Sequence, residues 1–253
     1  MLIVNLLESP ADETAAYQQV RRAASTVMQH VYHGGQPFHE VELESFGDFY
    51  AYRSREDFGL ESSFLLMIGL RRQSTQAMSG MVVDFGQSVF GYQKGMLIYC
   101  MSQFTVENMR TVVNTVGFMK VFEHEFLHML DNTRTADRIV SPTDPQNDPA
   151  GYYNSPSEYN AYYHDIAKNL LAVIAANPQD ARDTFDLYGF SGDWKTDLSG
   201  LLTHDHYVQR FVASLHPERR KALLRRLYRL YQQMLQSLKP ASAPRSHGVA
   251  ASP

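Results

Sequence analysis

Val121-Phe122-Glu123-His124-Glu125-Phe126-Leu127-His128-Met129-Leu130 is the stretch on which the fold turns. It lies in a proline-free run, Thr105 to Asn132, that also carries Val112, Val113, Val116, Phe118 and Met119. These apolar residues are too many for one stripe of a surface helix. A helix that is apolar on most of its sides is a buried helix, so this run is expected to form the centre of the molecule. Gly117, two and three turns upstream of the histidines, is a place where another backbone can approach.

Within that helix His124, Glu125 and His128 fit the pattern H-E-x-x-H. Four residues advance a helix by about 400°, so both imidazoles project from nearly the same face, one turn apart. Two nitrogens so placed can take adjacent corners of a zinc tetrahedron. Glu125 points about 100° away from His124. It is badly placed as a third ligand and well placed as a general base toward a metal-activated water. Two histidines and a glutamate among Phe122, Phe126, Leu127 and Leu130 would be costly to bury without partners, and a metal ion is the simplest partner.

A tetrahedral catalytic site needs a third protein ligand. Ser155-Pro156-Ser157-Glu158 opens a second helix, expected from Pro156 to Ala176 and ending at Asn177-Pro178. Glu158 is the expected ligand. The same four residues spell a capping box with proline at the first helical position, so the Glu158 carboxylate has two competing uses. Asp131 and Asp165 lie on the ligand faces of their helices and suit support of a ligand better than ligation. His164 is one step off that face. His204-Asp205-His206 is a further competitor. Thr184-Phe185-Asp186-Leu187-Tyr188-Gly189 is similar to the third-ligand motif of the aspzincins but is one residue short.

Around this core the chain reads as α+β: a small, mostly antiparallel N-terminal sheet followed by a helical half that carries the buried active-site helix. Pro10 to Tyr32 has helical spacing; His33-Gly34-Gly35 is a turn signal. Val41, Leu43 and Ser45 alternate with Glu42 and Glu44 as in a half-buried strand. Phe64 to Leu70, Met81 to Phe85 and Met96 to Met101 are short apolar runs among glycines. Arg134 to Gly151 is a polar, proline-containing loop. Helices resume after Asp205 with a break at His216-Pro217. Residues 1–238 are expected to form one domain and 239–253, rich in Ala, Ser and Pro, a disordered tail.

The 253 residues are 44% hydrophobic and 20% charged, which supports a sizeable core. A net charge of −4 argues against a nucleic-acid binder. One cysteine, Cys100, excludes an intramolecular disulfide framework and any multi-cysteine zinc site. No apolar run is long enough to span a bilayer, and Met1 to Glu8 has no basic region, so the chain is expected to be cytoplasmic, with signal-less export as an effector also compatible. The segment His216 to Lys239 is strongly basic (Arg219, Arg220, Lys221, Arg225, Arg226, Arg229). A solvated face suits it better than a phosphate-binding surface, because no base-stacking pattern accompanies it.

The His124-Glu125-Phe126-Leu127-His128 motif with a downstream Glu158 resembles the zincin metallopeptidases, and among them the gluzincin arrangement. The likeness covers about 55 residues. The thermolysin-like N-E-x-x-S-D form is not matched: Asn154 stands four residues before Glu158 and Tyr162 occupies the aspartate position. The metzincin extension after His128 is absent. The resemblance implies a zinc endopeptidase acting on a protein or peptide substrate, with an edge strand (Met96 to Met101 or Met81 to Phe85) holding an extended peptide. It also implies a donor for the reaction's oxyanion; Tyr162 and His206 are the expected ones, among Tyr152, Tyr153, Tyr159, Tyr163, His204 and Tyr207. The alternative is a zincin-like binding or regulatory protein without turnover, contacting an acidic or nucleic-acid partner through the basic C-terminal helix.

Overall fold

The computed structural model describes residues 10–33, 39–43, 47–53, 65–70, 78–89, 92–100, 116–134 and 147–239. Helix α1 (Pro10–His33) precedes five strands: β1 (His39–Leu43), β2 (Gly47–Arg53), β3 (Leu65–Leu70), β4 (Met78–Val89) and β5 (Tyr92–Cys100). Seven helices follow: α2 (Val116–Arg134), α3 (Pro149–Tyr153), α4 (Pro156–Ala175), α5 (Ala181–Leu187), α6 (Trp194–Thr203), α7 (His206–Ser214) and α8 (Pro217–Ser237). The α+β expectation is met. The turn at Gly34–Gly35, most of the Arg134–Gly151 loop and the tail beyond Lys239 lie outside the described residues.

The strands form one sheet in the order β1-β2-β3-β5-β4. Three of its four pairings are antiparallel; β3 and β5 run parallel, with Leu65 opposite Gly95 and Leu70 opposite Cys100. Of the two runs named as a possible edge, the described part of the first, Met96 to Cys100, lies in β5 between two neighbours and is no edge. The second, Met81 to Phe85, is in β4, which is an edge strand. The short β2, with Phe49, Tyr50 and Tyr52, was hidden in sequence by the glycine and polar residues around it.

Helix α2 packs on the sheet through an apolar face. Phe118, Phe122 and Phe126 are fully buried, with successive ring centroids 6.3 and 5.8 Å apart. They meet Met129 and Leu130, Leu66 of β3, Met96 and Ile98 of β5, and Val20, Ala23, Ala24 and Val27 of α1. Met96 and Ile98 share a sheet face because they are two residues apart. Truncating one such buried phenylalanine to alanine costs about 3–5 kcal/mol.

A second apolar cluster fills the helical half, built on Tyr163, Ile166, Leu170, Phe211, Leu223, Leu227, Leu230 and Tyr231. Helix α4 belongs to both clusters: Ala161 faces the first, while Tyr159 and Tyr163 face the second. Helices α1, α4 and α8 are further tied by a buried polar knot. Glu13 accepts from Arg226 Nε at 2.6 Å and from the Tyr163 hydroxyl at 2.7 Å, and the Arg226 guanidinium lies 3.5 Å from the Tyr163 ring centroid.

Several cations of the basic segment serve the fold. Besides Arg226, Arg220 donates to the carbonyls of Val212 and Ala213, Lys221 pairs with Glu218, and Arg219 stands over the Tyr159 ring. No helix among the described residues is long and apolar enough to cross a membrane.

Candidate metal centre

Ser155 caps α4, with its hydroxyl accepting from the Glu158 backbone N–H at 3.4 Å, and Pro156 occupies the first helical position. The Glu158 carboxylate does not turn back to close the capping box. The Ser155 N–H donates to the Tyr152 carbonyl instead. The carboxylate is thereby free to cross to α2, where Oε1 lies 3.3 Å from His128 Nε2 and Oε2 lies 3.5 Å from His124 Nε2. The competition expected between capping and ligation is resolved by dividing the residue: backbone to the cap, side chain to the histidines.

One donor atom from each of His124, His128 and Glu158 lies within 4.8 Å of the others, and these three can hold a metal ion. Their side chains are 13%, 11% and 5% exposed. Glu158 Oε2 is buried without a hydrogen-bond partner. A buried charged oxygen left unpaired is expensive, and an ion between it and the two imidazoles would satisfy it. The donor set, two imidazoles and a carboxylate, suits a zinc ion with an open fourth position.

Asp165, two turns along α4 from Glu158, lies with Oδ2 3.1 Å from His124 Nδ1. A carboxylate there fixes the ring and leaves Nε2 toward Glu158, as supporting groups do for metal-bound histidine. Without metal the cluster holds its protons tightly. Burial alone would lower His124 and His128, but the carboxylates beside them, Asp165 and Glu158 for the former and Glu158 for the latter, raise both. Burial likewise opposes the ionised Glu158, and the two histidines overcome it and hold the carboxyl well below its usual range.

Glu125 is 7% exposed. Burial raises its pKa, and His128 and His124 offset this in part. A raised pKa is what a carboxylate needs to act as a base at neutral pH. What presses it into place was not expected from sequence. Gly80 of edge strand β4 faces α2, and a Cβ there would stand 2.5 Å from Glu125 Cγ and 2.7 Å from Val121 Cγ1. The close approach foreseen at Gly117 is made at Gly80; Gly117 is exposed.

No family model, curated protein or solved structure matches this chain. The site therefore has to be read from its own residues.

Tyrosines crowd the entrance from α3 and α4. Tyr162 puts its ring edge-to-face with His124 at 4.9 Å and stacks on Phe211 at 5.0 Å, and its hydroxyl is directed at Tyr153. Tyr152 is half-buried, and its phenol is held protonated by burial and by the adjacent Glu158 carboxylate. Asn154 ties the end of α3 to the junction of α7 and α8. Its Nδ2 donates to the carbonyls of Ala150 and Ser214, and its Oδ1 accepts from the His216 N–H.

The other candidates are placed elsewhere. His206 is exposed beside Tyr207. Asp205 caps α7, accepting from Tyr207 N and Val208 N, and pairs with Lys120, one turn before His124 on α2. His204 meets the Leu201 carbonyl through Nδ1. Asp186 is exposed and pairs with Arg182. His164 is buried behind Asp165. The Asp131 and Cys100 side chains lie outside the described residues.

Proposed function

We propose that this chain is a zinc-dependent endopeptidase of gluzincin-like type, with His124, His128 and Glu158 as ligands and Glu125 as general base. One observation carries the reading: the carboxylate of a second helix meets both histidines of the H-E-x-x-H helix, with Glu125 buried beside them. When bound, zinc would acidify a water and polarise a carbonyl oxygen.

The chain's own residues supply the remainder. Glu125 takes the proton of the attacking water and delivers it to the leaving amine. The Tyr152 phenol, protonated and next to Glu158, is the neutral donor assigned to the developing oxyanion. Tyr162, with its hydroxyl turned to Tyr153, keeps the His124 ring in place. The edge strand β4 runs beside the catalytic glutamate, so an extended peptide pairing with it would pass over the site.

Glu125 also favours turnover over a purely structural or sensory metal site, which has no use for a buried base. The test is cleavage of a peptide library by the zinc-loaded protein, with Glu125→Gln as control. Cleavage in wild type and its loss in a variant that still binds zinc supports the proposal. Zinc binding with no cleavage in either protein would return the chain to the binding or regulatory alternative.

A further inference from the structure

A cavity of about 230 Å³ opens between α1, α2 and α4. Tyr17 and Arg21 of α1, Glu123 of α2, His164 and Lys168 of α4, and Tyr188 after α5 line it. Its chemistry is lopsided. Glu123 is the single carboxylate among the lining residues, where it is shared by Arg21 at 3.1 Å and Lys168 at 3.8 Å, so two cations meet one carboxylate in the wall, and Asp165 next to His164 is within electrostatic reach of Lys168. The Tyr17 and Tyr188 phenols both stand within electrostatic reach of Arg21. Val20 and Asn169 complete the lining, so beside the two cations the walls carry aromatic faces, an aliphatic side chain and an amide.

His164 adds an independent observation. It is 3% exposed, its ring faces Tyr17 at 6.0 Å, and its Nε2 has no hydrogen-bond partner. Burial brings its pKa down to about 4, so the ring is neutral. Buried polar atoms are normally paired, and an unpaired one in the wall of a donor-rich, half-enclosed cavity points to a group that completes it. The volume is below the roughly 300–1,000 Å³ of drug-sized pockets, which limits the occupant to a small molecule.

We infer that this cavity binds a small organic oxyanion, a carboxylate or phosphate monoester with an aromatic or aliphatic body, through Arg21 and Lys168. The anionic group meets the two cations and the phenols, and the body lies against Tyr17 and Tyr188. The inference is independent of the peptidase reading, because it uses none of the metal-site residues.

Calorimetric titration of the full chain with benzoate and with phenyl phosphate tests it, using benzyl alcohol and inorganic phosphate as comparison probes. Each titration is run on zinc-loaded and chelator-treated protein. Saturable binding of either aromatic anion is expected in both forms, weakened about tenfold or more in Arg21→Gln and in Lys168→Gln, as for loss of a charge-assisted contact. Arg225→Gln, which removes an exposed cation of α8, is expected to leave it unchanged. Failure of both aromatic anions to bind would overturn the inference. So would equal binding of benzyl alcohol or inorganic phosphate, insensitivity to the Arg21 and Lys168 changes, or loss of binding with the metal.

Discussion

Gly80 and Glu125 are in contact across the boundary between sheet and helix, so closely that no side chain fits at position 80. The edge strand and the proposed base are therefore placed by one another. Gly80→Ala must push β4 outward or turn Glu125 away. Overpacking of this kind costs about 1–3 kcal/mol. The expected result is lower thermal stability and peptide cleavage reduced at least about tenfold, because catalytic geometry is sensitive to ångström-scale shifts. Zinc affinity should hold near wild type, since the ligands are on α2 and α4. Unfolding curves, metal titration and cleavage rates on one preparation separate the three.

Asp165 holds His124 through Nδ1. Asp165→Asn keeps the shape and removes the charge. Zinc affinity should fall about 10- to 100-fold, the usual effect of losing a hydrogen-bonded support of a ligand. Competition against a chromophoric chelator measures it; an unchanged affinity would show that Asp165 only packs there.

On the alkaline side the stability of the metal-free protein should fall with pH while the stability that zinc adds should grow. His124 and His128 are raised in the metal-free fold. Their contribution is full below the unfolded value of about 6.5 and is lost as pH rises through the raised values. Glu158 is depressed, so its contribution is present above about 4.3 and is lost as pH falls through its folded value. Zinc needs both imidazoles deprotonated. The extra stability that zinc gives should therefore grow as pH rises through the raised histidine values. Melting temperatures across pH, with and without zinc, check this.

Glu13 and Arg226 form a buried pair between the first and last described helices, with side chains 4% and 12% exposed. Removing one partner strands the other. Glu13→Ala should destabilise the protein by about 3–5 kcal/mol, whereas Glu13→Leu with Arg226→Met should lose much less. Chemical denaturation of the single and double variants decides whether the pair stabilises or mainly specifies the docking of α1.

The site was legible in sequence because its parts follow helical arithmetic. His124 and His128 are one turn apart, Asp165 is two turns from Glu158, and Ser155-Pro156 marks the start of α4 where the structure has it. The Pro217 break between α7 and α8 was legible for the same local reason. What escaped is non-local. The parallel pairing of β3 with β5 puts Met96 to Cys100 inside the sheet and β4 at its edge, and no periodicity within a strand encodes its neighbours. Gly80 reads as an ordinary turn glycine until β4 is laid on α2. The Asn154 bridge to Ser214 and His216 spans some sixty residues. Arg226 looked like part of a solvated basic face, although its partner is Glu13, over two hundred residues away.

The most direct test of the metal centre is metal content by mass spectrometry on purified wild type, His124→Ala and Glu158→Ala, each after zinc reconstitution and desalting. The account predicts about one zinc per chain in wild type, none in His124→Ala and a weakly held fraction in Glu158→Ala. Zinc retained at full occupancy in Glu158→Ala would contradict the third ligand, and no zinc in wild type would contradict the centre itself.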